Sequence, residues 1–289
     1  MRRGGYWLSL VLLLTACQRE PEPSPEQFQF PVGIFIQARR NDFWEAFETG
    51  LKSRLDASIV PRIVYFDSAQ RDSVASQMAQ PEAWRALAFC APSDAWAQNT
   101  VDRAVREGIP LVLVGVDMRQ SLRMGVVSTY YYDAGRKAGA WYAKRLPTGR
   151  IVVIAGHPVP GAVSEFWDGF RHSLLENRRL RAELIPLSDS AQAKVVAQQL
   201  KNNPTVRGVF LMGAEVTRYA MEATPLPNPG IFTWRQDDEA WYHERRCQLL
   251  LIENPHEVGV RTANLLRNLS LGRGKDLEIV YVPYRQRAR

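Results

Sequence analysis

Two doubly wound parallel α/β domains, Rossmann-like in layout, are what this sequence predicts, and three observations predict them. From residue 31 onward, short β-rich runs alternate with helical segments. The runs are apolar throughout, not on every second residue, as strands covered on both faces must be. The series falls into two halves of five runs each, so the chain predicts two sheets and not one.

In the first half the strand runs are VGIFIQ, RIVYF, ALAFCA, IPLVLVGV and MGVVST; in the second they are GRIVVIAG, LRAELIPL, VRGVFLMG, GIFTW and CQLLLIE. Helical segments are predicted at 42–54, 95–107, 133–146, 162–177, 189–202 and 256–270. The first of these shows how the local signals agree. Asn41 is placed to cap, Asp42 and Glu45 put negative charge in the first turn, and Phe47, Leu51 and Leu55 recur every four residues.

The 289 residues suffice for two modest cores. The first 28 belong to neither. Arg2 and Arg3 precede a short apolar run, Tyr6 to Leu14, too short to cross a bilayer and arranged as a signal peptide over 1–16. Leu14-Thr15-Ala16-Cys17 resembles the bacterial lipobox, which implies lipidation at Cys17 and a lipid-anchored protein on the periplasmic or cell-surface face of a bacterial membrane. An ordinary secretory signal with an incidental cysteine is the other reading. The Pro- and Glu-rich stretch from 17 to 28 reads as a tether.

The whole chain carries a net charge of +7, and removal of 1–16 leaves 35 basic against 30 acidic residues. These charges are interspersed and no nucleic-acid motif accompanies them, so a nucleic-acid partner is not expected. Cys90 and Cys247 lie in strand-like runs of different halves and read as buried thiols, not a bridge. Neither has a histidine or cysteine nearby at metal spacing.

The corner QARRNDFWEAFETG, residues 37–50, concentrates Arg39, Arg40, Asn41, Phe43 and Trp44 where a strand pattern gives way to a helical one. Open α/β sheets bind ligands at the carboxyl ends of their strands, so this corner is placed to face a cleft. On the residues alone, Asn41 reads equally well as a helix cap, and the two aromatics as core.

Six segments in register carry a family resemblance: NDFWEAFETGLKSRL, AVREGIPLVLVGVD, YDAGRKAGAWYAKRL, GRIVVIAG followed by DGFRHSLLE, NNPTVRGVFLMG and ENPHEVGVRTANLL. In this order they resemble the periplasmic sugar-binding proteins of ABC importers, the ribose- and galactose-binding group of the type I periplasmic binding proteins. The resemblance spans residues 31 to 283 and implies two lobes joined by a three-segment hinge that closes on a ligand. It places the crossings near 127–130, 253–254 and 275–278. The lobes would then be 29–128 plus 254–275, and 129–253 plus 276–289.

By this resemblance Asn41, Phe43 and Trp44 match ligand contacts, so replacing Trp44 is expected to weaken binding more than stability. Other positions depart from the sugar-binding pattern. Phe166 replaces an arginine; Gly213 and Ala214, followed by Glu215, stand in place of an Asn-Asp pair; Arg235 replaces an aspartate and Glu253 a glutamine. Gly115 stands where Asp or Asn is usual, and Tyr130 and Tyr131 replace Asp-Asn. Losing planar bidentate groups argues against a simple pentose or hexose. The replacements suggest an aromatic box of Tyr130, Tyr131, Phe166, Phe43 and Trp44, with Arg40, Arg235, Glu215 and Glu253 available to a charged or zwitterionic ligand. Arg235 satisfied by a nearby glutamate is the equal alternative.

No Walker loop, G-x-G-x-x-G, G-x-S-x-G or H-E-x-x-H occurs, and the four histidines are dispersed, so neither an enzyme nor a cofactor or metal is expected. His157, at a strand-to-helix corner of the second half, borders the expected cleft and reads as a hydrogen-bonded loop residue. The repressors related to lactose repressor share the two-domain core, but they carry a helix-turn-helix where this chain has a leader and a tether. The expected function is capture of a small polar molecule, sugar or sugar-like and neutral or charged, by a monomer that delivers it to the permease of an ABC importer. Presentation of the bound form to a sensor kinase or chemoreceptor is the alternative.

Overall fold

The computed structural model describes residues 29–175, 177–222, 225–274 and 277–289. The leader, Cys17 and the tether lie outside them, as do Lys275 and Asp276 of the expected third crossing.

The first sheet is built from β1 (Phe30–Ile36), β2 (Ile59–Tyr65), β3 (Ala86–Cys90), β4 (Leu111–Val114) and β5 (Gly125–Thr129), in spatial order β5-β4-β3-β1-β2 and parallel throughout. The second repeats the plan with β6 (Gly149–Ala155), β7 (Leu180–Pro186), β8 (Val206–Met212), β9 (Pro229–Thr233) and β10 (Leu249–Ile252), in order β10-β9-β8-β6-β7. Each chain path turns back beside its first strand, the doubly wound arrangement whose ligand crevice lies at the carboxyl strand ends.

Alternate residues of each strand feed opposite faces. Phe35, Leu87, Phe89 and Leu113 pack under α2 (Arg71–Met78) and α3 (Ala95–Arg106), while Val32, Ile34, Ala88 and Val112 pack under α1 (Asp42–Lys52) and α9 (Pro255–Ser270). In the second lobe Val152, Ile154, Val209 and Leu211 lie against α6 (Gln192–Lys201) and α7 (Ala214–Met221). The other face meets α4 (Tyr131–Arg145) and α5 (Ala162–Leu174). A short α8 (Glu239–His243) precedes β10.

Helices α4 and α5 cross at glycines. A Cβ added to Gly135 would stand 1.9 Å from the Phe166 carbonyl oxygen, and one on Gly169 2.0 Å from that of Tyr132, so only hydrogen fits between the two backbones.

Two strands at the C-terminus were not legible. β11 (Glu278–Val282) adds to β5 in the first sheet, and β12 (Arg285–Ala288) adds antiparallel to β10 in the second. The third crossing therefore lies at Pro283–Tyr284 and not at 275–278, which moves 277–282 from the second lobe to the first. The other two crossings run through Tyr130 and through Glu253–Asn254. Helix α4 also starts at Tyr131, two residues before the expected 133.

Cys90 and Cys247 are buried free thiols, and burial pushes the latter up to about 12. Among the described residues no helix is long and apolar enough to cross a membrane.

Candidate functional site at the lobe interface

The carboxyl ends of both sheets face each other, and the residues that follow β1, β4, β6 and β9 meet there. At the β1–α1 corner, Asn41 takes an extended conformation and its Oδ1 accepts from the Trp44 backbone N–H at 3.2 Å. This cap fixes Asp42 and Phe43 in the first turn, where both reach the opposite lobe. Phe43 packs edge-on against His157 and Trp234, with ring centroids 5.5 and 5.4 Å apart.

Asp42 is the polar half of that contact. Its Oδ1 accepts from the Trp234 indole N–H at 3.1 Å, and its Oδ2 from Arg235 Nε at 2.8 Å. Arg235 also donates to Glu215 at 2.6 Å, and Glu215 is held in turn by Arg218. One guanidinium thus joins a carboxylate of the first lobe to one of the second. The fork geometry suits bidentate recognition, though all three groups remain partly exposed. Arg235→Ala is expected to lower stability by only about 1 kcal/mol, a small shift in a urea melt that 1 M salt abolishes.

Deeper in, Glu253 is 1% exposed at the second crossing. Its Oε2 accepts from the Tyr131 hydroxyl at 3.1 Å, and its Oε1 pairs with His157 Nε2. His157 Nδ1 accepts from the Val159 backbone N–H at 3.1 Å, so Nε2 is the nitrogen left to carry the proton and donate to Glu253. The start of α4, the loop after β6 and the second crossing therefore converge on one buried carboxylate.

Gly115 completes the contact. At φ +94° it takes a backbone conformation that favours glycine, and a Cβ there would stand 2.3 Å from Val159 Cγ1 across the interface. Where relatives were expected to carry Asp or Asn, the missing side chain leaves room for Val159. A single apolar cluster consequently runs from α1 and α9 through Phe43, Val116, Val159 and Trp234 into α4 and α5.

The sequence-predicted residues do not form one pocket. Trp44 is fully buried against Phe43 and Phe47, and Phe166 against Phe170, Phe210 and Phe232, so both are core side chains and not walls of an open aromatic box. Phe43 and Tyr131 are buried at the interface itself. Arg40 pairs with Glu48 at 2.9 Å and with Glu45 at 3.4 Å, both on the helix that follows it. Burial opposes ionisation of Glu48, but Arg40, Lys52 and Tyr65 together hold its carboxyl below the usual range. Arg40 also lines a surface cavity of about 490 Å³ with Arg39, Tyr65 and Asp67. Tyr130, 41% exposed, lines a different one of about 240 Å³ on the hinge side. Of the two readings of Arg235, the structure has the intramolecular one, with Glu215 and Asp42 as partners; Glu253 likewise meets protein groups.

Asp42, His157 and Trp234 were not singled out as contacts from the sequence. Their common signal is position, each lying within six residues of the carboxyl end of a parallel strand. Among the described residues no group of three His, Cys, Asp or Glu side chains is arranged to hold a metal ion.

Residues 32–225 match the periplasmic binding protein domain. Solved structures match over 90% of the chain. They include a XylFII–LytSN complex (15% identity, 98% of that chain, TM-score 0.76) and an ABC-transporter solute-binding protein of Burkholderia graminis with D-arabinose (16%, 95%, 0.76). GanP, a glucose-galactose binding protein of Geobacillus stearothermophilus, matches at 16% identity over 97% of its chain, with a TM-score of 0.74. At these identities the likeness is one of fold. Curated protein sequences give no significant match.

Proposed function

The chain belongs to the periplasmic binding protein family, and from that premise we propose that it is an exported, lipid-anchored solute receptor that acts as a monomer and delivers its ligand to an ABC-type importer. The solute is a small polar molecule, sugar, sugar-like or charged, engaged between the lobes. The reading assigns the chain no catalytic step and no cofactor.

The observation that carries it is the Asp42–Arg235–Glu215 bridge. It joins groups from facing lobes whose covalent connections are three chain crossings, so it forms when the lobes close and is broken when they part. Relative motion of two lobes on short crossings is the ordinary way such a fold admits a solute and then excludes water. Importer delivery draws on the transport proteins among the structural neighbours. The likeness to a XylFII chain in complex with LytSN supports a second reading, in which the closed form is presented to another protein such as a membrane sensor.

A thermal-shift panel of sugars, polyols, sugar acids, amino acids, polyamines and nucleosides tests the proposal. A solute at a hundred times its dissociation constant adds about 2.7 kcal/mol, a rise of roughly 5–10 °C in a chain of this size. Silence across the panel at millimolar concentrations would count against solute capture.

A further inference from the structure

The hinge-side cavity of about 240 Å³ lies outside the packed centre and is lined by both lobes. Its floor is aromatic. Tyr130, at the first crossing, stacks on Tyr281 of β11 with centroids 4.4 Å apart and planes 21° from parallel, and Tyr132 follows at 6.4 Å. Tyr130 and Tyr281 are 41% and 46% exposed, an unusual amount of ring surface to leave facing a concavity.

Carboxylates surround this floor: Asp117 from the loop after β4, and Glu165 and Asp168 from α5. Asp117 is already engaged by Arg123 at 2.6 Å. Among the described residues the cavity's one lining cation, Arg119, is 88% exposed and 4.0 Å from Asp117. Glu165 is half-buried, and among the described residues no hydrogen bond or ion pair engages it. The walls therefore hold more negative than positive charge, and the tyrosine faces add the negative side of their quadrupoles. That field attracts a cation and repels an anion.

We propose that this cavity binds a small organic cation, an alkylammonium whose charge meets Glu165 and Asp168 and whose alkyl body lies on the Tyr130–Tyr281 stack. The proposal rests on the solute-receptor reading and names a substrate class for it. The ligand would touch Asp117 of the first lobe, Glu165 of the second and the crossing between them, so its binding is coupled to lobe closure.

The site also predicts a pH dependence. Burial, then Asp117 and more weakly Asp168, push the Glu165 carboxyl up to about 7 against the opposing Arg119; the other groups facing it are the phenols of Tyr130, Tyr132 and Tyr281. A cation favours the ionised carboxylate, so below pH 7 binding must first remove a proton. Affinity is expected to be roughly tenfold higher at pH 8 than at pH 6.

The test is calorimetric titration of the intact chain with 1,4-diaminobutane and with tetramethylammonium, and with 1,4-butanediol as the neutral counterpart. Binding of the cations but not the diol is expected, weakened at least tenfold by Glu165→Gln and by Tyr281→Ala. Both are partly exposed positions, and circular dichroism would check that the variants fold. Absence of binding by both cations, equal affinity for the diol, or unchanged affinity in both variants would overturn the proposal. If a sugar from the panel binds the Glu165→Gln chain normally while the cations are silent, the cation site fails and solute capture stands. If sugars and cations are all silent, both readings fail.

Discussion

Trp44→Ala is expected to remove about 3–5 kcal/mol of stability, the cost of emptying a fully buried indole site. Its ring lies edge-on to Phe43 at 5.0 Å and to Phe47 at 5.5 Å, so its loss leaves a cavity beneath the first turn of α1. The indole N–H has no hydrogen-bond partner, so no polar contact is lost with it and the effect is one of packing. A urea melt reads the change directly. Family resemblance had pointed the other way, to lost affinity with stability retained. An unchanged midpoint together with abolished solute binding would restore that earlier assignment and displace the packing account.

Glu253→Ala is the second large effect. It strands the Tyr131 hydroxyl and the His157 N–H, the histidine side chain being 0% exposed, and leaving two buried donors unpaired costs about 2–6 kcal/mol. Glu253→Gln separates this from a requirement for charge. The amide keeps one oxygen to accept from His157, and its NH2 can donate to the Tyr131 oxygen, since a hydroxyl both donates and accepts. The glutamine variant is therefore expected within about 1 kcal/mol of the parent, with the alanine variant far below both. Equal losses for the two would show that the negative charge itself is required.

Much of this fold was legible because its signals are local. Apolar runs and the Asn41 cap mark boundaries within a few residues of where they form. What was missed lacks such signals. β11 is largely exposed and β12 fully so, and neither carries a buried-strand pattern. Helix α2 contributes only Val74 and Met78 to the core. The site was harder still, because partner choice depends on topology. His157 and Glu253 are 96 residues apart and meet only because β6 and β10 share one sheet, and Asp42 and Arg235, 193 apart, meet only once the two sheets face each other. Residue type told that Arg235 would seek a carboxylate, but not that Asp42 of the other lobe would be one of the two.

The central claim is that the lobes part and close around a solute, and small-angle scattering of the intact chain tests it most directly. Compared with the parent, Arg235→Ala should show a larger radius of gyration without solute, and saturation with a solute identified by thermal shift should return it to the parent value. Identical scattering from parent and variant, with and without that solute, would contradict the account and leave a chain whose lobes are packed permanently together.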